Sequence, residues 1–326
     1  MSAIRSLATA GFVFLAMGLP VAGEVPGQRA TGYAAAVELW LADDEAAALA
    51  ELSRLAGQGN AAAQMLLALI DKTPSLQGPW LSRLPRDERI ALMRLPGGIS
   101  GVSWMRQAAE AEPSARLWLR MWQVDAPATL AIEFAATGEP RAAREALVAL
   151  DARGQRGAAT IADEAGYPPA LRYLVWREWA SDPAMGEVRA AEMAALAPGD
   201  PQGAHVSRAP APEALSGWLM SAPEAAPVAA FCADLCGQSA ADCVLAVAEA
   251  LGSHSTLVTF GSPSERLVPG EAFHHSPRGH AALMRRVLLN VDARGRRGQI
   301  ARAREADSCF GELLEAEAQR YMPKRD

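Results

Sequence analysis

The stretch "YAAAVELWLADDEAAALAELSRLAGQGNAAAQMLLALI", Tyr33 to Ile70, decides the fold. Leu49, Leu52, Leu55 and Ala56 recur at helical spacing, with Glu51 and Arg54 between them on the opposite side. That pattern is one apolar stripe on a helix rather than the alternation of a strand. The "ADD" before Glu45 supplies carboxylates to cap the helix start. "GQGN" then stops the helix, with Gly57 as the turn residue, and Asn60 caps the next helix. The unit is therefore helix, tight turn, helix.

The same plan is written again further along. "DARGQRG" (Asp151 to Gly157) and "DARGRRG" (Asp292 to Gly298) share six of seven letters, and each follows an amphipathic run and precedes an alanine-rich one. Gly154 and Gly295 suit the left-handed position past a helix end, which costs a residue with a Cβ about 1 kcal/mol. Arg153 and Arg294 place cations at the negative helix terminus. A phosphate cradle needs an upstream strand and a Gly-Lys-Ser/Thr sequence, and neither copy has them. Further breaks fall at Glu112-Pro113-Ser114, in "ATGEPRAA" (136–143) and at "GYPP" (166–169). Alanine, leucine, arginine and glutamate dominate and β-branched residues are sparse, which favours helix throughout. The expected fold is all-α: stacked αα-hairpins in a short, irregular α-solenoid, with a mostly helical, disulfide-containing C-terminal region.

Within that frame, "LAGQGNAAAQMLLAL" (55–69) resembles the core of a Sel-one-like repeat, a relative of the tetratricopeptide repeat. The matching positions are Ala56, Gly57, Asn60, Ala61, Ala63, Gln64 and Leu67. A tryptophan-plus-alanine version recurs at Trp104, Ala108, Ala109, Ala115 and Leu119, giving a best match over 33–70 and a degenerate one over 100–180. The resemblance implies an α-solenoid that binds other proteins, often in the bacterial envelope.

Compartment is read from the two ends of the chain. Arg5 followed by the apolar run Leu7 to Leu19 and then Val21-Ala22-Gly23 reads as a secretory signal over 1–23, because the run is too short to span a bilayer. Removing it takes away one arginine and no acid, so the mature chain keeps the acidic balance of the whole, whose formal net charge is −6. Acidity argues against nucleic-acid binding. No later stretch is apolar and long enough for a membrane span. The expected location is periplasmic or secreted. The expected organisation is a helical-repeat domain over 24–197, a Pro/Gly-rich linker over 198–213 and a cysteine-containing helical domain over 214–326.

All four cysteines, Cys232, Cys236, Cys243 and Cys309, lie in that last region, and an even count in an exported chain reads as two disulfides. "GQSAAD" between Cys236 and Cys243 turns a hairpin, with Asp242 as cap of the second helix. A bridge across that turn would join Cys236 to Cys243 and leave Cys232 for Cys309. The rival pairing is Cys232–Cys243 with Cys236–Cys309. Zinc is the functional alternative, but the spacing lacks a Cys-x2-Cys knuckle.

His254, His274, His275 and His280 cluster in "GSHSTLVTFGSPSERLVPGEAFHHSPRGH", where "STLVTF" suits a short strand. His275 and His280 offer metal ligands with His254. The plainer reading makes Ser276 a cap and Pro277 the first residue of a helix. Ser262, Ser264, His254 and Glu265 hold the residue types of a hydrolase without a Gly-x-Ser-x-Gly elbow. The arginines from Arg285 to Arg304 are interrupted by acids and read as a solvated face. Trp40, Trp104, Trp118, Trp122, Trp176 and Trp179 are expected to fill gaps between hairpins. The functional expectation is a non-enzymatic protein without a cofactor that binds another envelope protein or peptide. The alternative is a metal- or ligand-binding protein or hydrolase using the loop 254–280.

Overall fold

In a computed structural model the protein is described over residues 24–98, 100–123, 129–139, 142–143, 146, 226–237, 240–251, 263–290, 305 and 307–321. The expectations for the signal (1–23), Gly154, Gly295, the linker (198–213), His254, Ser262, "STLVTF", Trp176, Trp179 and the arginines from Arg294 to Arg304 lie outside these residues. The described residues form helices and no strand. In chain order they are α1 (Thr31–Leu41), α2 (Glu45–Gly57), α3 (Ala61–Lys72), α4 (Pro79–Arg83), α5 (Arg86–Leu92), α6 (Val102–Ala111), α7 (Pro113–Met121), α8 (Leu130–Ala136), α9 (Ala226–Cys236), α10 (Ala240–Leu251), α11 (Gly270–His274), α12 (Pro277–Asn290) and α13 (Ser308–Tyr321).

The first hairpins form for local reasons. Asp44 caps α2 by accepting from the Ala47 amide at 3.4 Å. Gly57 is the last helical residue, and the left-handed turn position falls two residues later, at Gly59 (φ 88°). The amides of Gly59 and Asn60 return to the carbonyls of Ala56 and Leu55, closing the helix end. Asn60 then caps α3 through the Ala63 amide at 2.9 Å, while its own amide donates to the Gly27 carbonyl at 3.0 Å. Ten consecutive residues of α3, Ala61 to Ile70, are buried, because α2 covers one side of the helix and α6 the other. The small residues Ala61, Ala62 and Ala63 allow that close approach. Gln64 is the polar exception, and its amide is satisfied by the Ala56 carbonyl at 3.0 Å.

The next pair repeats the scheme with other residues. Glu112 caps α7 at the Ser114 amide, with Pro113 at the first helical position. Trp40, Trp104 and Trp118 are buried between helices, as their spacing suggests, and Trp122 packs against the same core. Trp104 donates to the Met93 carbonyl at 2.9 Å, and Trp118 meets Phe134 edge-on at 5.2 Å.

The C-terminal region closes over the start of the chain. Helices α9 and α10 form a hairpin, α12 lies against α1 and the 3-10 turn Pro74–Leu76, and α13 packs on α4. Phe273 stacks on Trp40 at 5.7 Å, and the Tyr33 hydroxyl donates to the Leu267 carbonyl at 3.1 Å. Burial pushes the Tyr33 phenol well above its ordinary pKa, so it remains a neutral donor. Residues expected in two separate domains thus share one core, running from Val25 to Leu314.

The bridges are Cys232–Cys243 and Cys236–Cys309, with Cα separations of 5.7 and 5.8 Å. The pairing favoured from sequence is corrected. In a hairpin, partners sit at similar distances from the turn. Cys232 lies six residues before position 238 and Cys243 five after it, whereas Cys236 is at the turn itself and faces the first turn of α13. Asp242 also moves from its expected role: α10 begins at Ala240, so Asp242 lies in the first helical turn rather than at the cap.

Candidate functional site

A cleft of about 290 Å³ opens where the beginning of α2, α4 and the end of α13 meet; its walls are Asp43, Asp44, Glu45, Ala46, Pro79, Trp80 and Arg320. Its floor is built by an ion network. Arg278, on the first turn of α12, is 1% exposed and lies 5.7 Å from the Trp40 ring centroid. Its Nη2 is 2.7 Å from Asp43 Oδ1, and its Nη1 is 3.5 Å from Glu45 Oε1. Glu45 is buried and also accepts from the amides of Gly78 (2.5 Å) and Leu81 (2.9 Å), which fixes the start of α4. A side chain at Gly78 would strike the Arg278 guanidinium and the Glu45 carboxylate and would have to displace that pair. Asp43 takes a second guanidinium, that of Arg320, at 2.9 Å. Two cations from different helices hold its carboxylate while its backbone stays left-handed at φ 69°. Asp43 and Glu45 are engaged by Arg278 and Arg320, and Asp44, the cap of α2, adds an exposed carboxylate to the cleft wall. Trp80, 40% exposed, supplies a large apolar surface beside it.

Below this cleft Arg320 also pairs with Glu317 at 2.9 Å. Burial raises the Glu317 pKa against the pull of Arg320. Arg285, expected on a solvated face, instead lies over the Tyr321 ring at 4.0 Å.

The histidines occupy a different face. Ser276 caps α12 at the Gly279 amide (2.9 Å) with Pro277 first in the helix, as read from sequence. His275 Nδ1 and His280 Nε2 both meet Asp234 Oδ2, at 2.8 and 3.1 Å, which fastens α9 to the α11–α12 junction. Burial lowers the His280 pKa and Asp234 opposes it. Among the described residues, the metal-capable group whose ligand atoms lie within 4.8 Å of one another is Cys236, Asp307 and Cys309. Its sulfurs are joined to each other, so no thiolate is offered there.

One serine of the hydrolase reading, Ser264, is buried: it is 1% exposed, and its hydroxyl lies 2.6 Å from both carboxyl oxygens of Glu139. Arg266, two residues on, forks onto Glu112 at 2.8 and 3.3 Å. Sequence reasoning missed Trp80, Asp234, Arg278 and Glu139. Trp80 follows a proline at a helix start, which was a usable sign of exposure. The other three act through partners 40 or more residues away.

No family model, curated protein or solved structure matches this chain.

Proposed function

We propose that this chain is a non-enzymatic helical-repeat protein of the cell envelope that binds another envelope protein or peptide. The observation that carries the reading is the Trp80–Asp44 cleft at the end of the hairpin stack. An exposed indole beside an exposed carboxylate suits a basic side chain, which gains from both cation–π and charge attraction. Support for a repeat of the Sel-one-like kind comes from Ala56, Asn60 and Gln64. Two of them cap or brace the α2–α3 turn, and Ala56 accepts the Gln64 bond. Two disulfides and the absence of a helix long and apolar enough to cross a membrane among the described residues fit an exported protein. Crosslinking of the mature protein in envelope extract tests the reading. A specific partner lost in the W80A/D44N variant supports it, whereas a chain that remains monomeric and uncrosslinked refutes it.

A second reading places metal or ligand binding at the loop 254–280. The convergence of His275 and His280 on one Asp234 oxygen favours it. One equivalent of zinc in protein purified without a histidine tag, lost in H275A, would establish it.

A further inference from the structure

Residues 263–269 cross the ends of three N-terminal helices. Leu267 and Val268 are buried, and the Leu267 carbonyl takes the Tyr33 hydroxyl of α1. Arg266 holds Glu112 at the head of α7. Ser264 holds Glu139, which follows the left-handed Gly138 at the end of α8. This strap is the way the C-terminal region grips the hairpin stack on this side.

The grip at Glu139 has an unusual charge balance. Glu139 is fully buried, and among the described residues the groups that face it are Ser264, Glu265 and Arg266 of the strap and Glu112, the cap of α7. Arg266 is already engaged in a two-pronged contact with Glu112. Among the described residues, an ionised Glu139 would therefore be a second buried carboxylate beside a single cation, with Glu265 adding to the repulsion. The Ser264 hydroxyl lies 2.6 Å from each carboxyl oxygen and is the donor that ties this buried group to the strap, while burial itself disfavours the charged form.

We propose that Glu139 and Ser264 form a proton-dependent latch, which seats the strap 263–269 on the hairpin stack while the carboxyl is neutral and releases it on ionisation. Burial raises the Glu139 pKa from 4.5 to about 7, against the opposing pull of Ser264 and Arg266. The latch thus operates near neutral pH, and it is independent of the partner-binding reading.

Trypsin reads the strap directly, because the bond after Arg266 is protected while Leu267 and Val268 are buried. The group goes from about one-tenth ionised at pH 6 to almost fully ionised at pH 8.5. Cleavage after Arg266, scaled to a synthetic peptide spanning 260–272, is expected to rise roughly tenfold between those pH values. In E139Q the amide keeps both hydrogen bonds without a charge, and cleavage should stay slow at both. A rise of less than twofold in the unaltered protein, or an equal rise in E139Q, overturns the latch. Deuterium uptake over 263–269 in the unaltered protein, scaled to intrinsic exchange, gives a second measurement that does not depend on the variant folding. Uptake that does not change with pH also overturns it.

Discussion

Mild reduction should open one bridge and leave the other closed. The two disulfides differ in both access and leverage. Cys232 and Cys243 are completely buried between α9 and α10, whereas Cys236 and Cys309 are half-buried where α9 meets α13. Thiol–disulfide exchange needs an attacking thiolate to reach sulfur, so Cys236–Cys309 reacts first. The chain-entropy relation gives the consequence. With 73 residues between its ends, that bridge stabilises by about 4.4 kcal/mol, against about 2.8 kcal/mol for the 11-residue span of Cys232–Cys243. The assay is a glutathione titration with the opened thiols alkylated and mapped by peptide mass, followed by urea unfolding of each species. The expected first product carries label on Cys236 and Cys309 alone and has lost roughly 4 kcal/mol. Label appearing first on Cys232 and Cys243 would refute the burial argument. A loss below about 1 kcal/mol on opening Cys236–Cys309 would refute the idea that this bridge holds the C-terminal helix to the fold.

Replacing Arg278 by methionine strands Glu45 and Asp43 without their buried cation, and urea unfolding should show a loss of about 3–5 kcal/mol. The same change at the half-exposed Arg320 should cost about 1 kcal/mol or less. G279A should destabilise by about 3 kcal/mol in thermal melts, because a Cβ at this position overlaps the Phe273 carbonyl and the backbone has to move. His280 should titrate below 6.5 by NMR. A depressed folded-state pKa contributes stability above pH 6.5 that fades as pH falls through it. D234N removes the Asp234 charge that favours the protonated ring, so the His280 midpoint should fall further.

The sequence made the α2–α3 hairpin legible because everything that forms it is local. The apolar stripe, the Gly59 region and the Asn60 cap lie within a dozen residues. The Ser276-Pro277 start of α12 and the break at Glu112-Pro113 were legible for the same reason. Cysteine pairing was not, since it depends on which helix face meets the partner at the register of the hairpin, and neighbours four apart on one face go to different partners. Arg278 and Glu139 were illegible for a stronger reason. Each looks like an ordinary charged residue in a turn, and its burial is created by segments more than 100 positions away. Trp80 was the converse case, an aromatic that no helical pattern singled out and that lies exposed in the wall of a cleft.

The bonds joining Tyr33 to Leu267, Trp40 to Arg278 and Asp43 to Arg320 span 234, 238 and 277 positions. Until the last fifth of the polypeptide is made, the Trp40 ring lacks Phe273 and the Glu45 carboxylate lacks Arg278. Its assembly therefore waits on the tail, as expected of a chain rich in distant contacts. A nascent molecule presents an unfinished face at its leading end, where a holding chaperone has most to gain by binding.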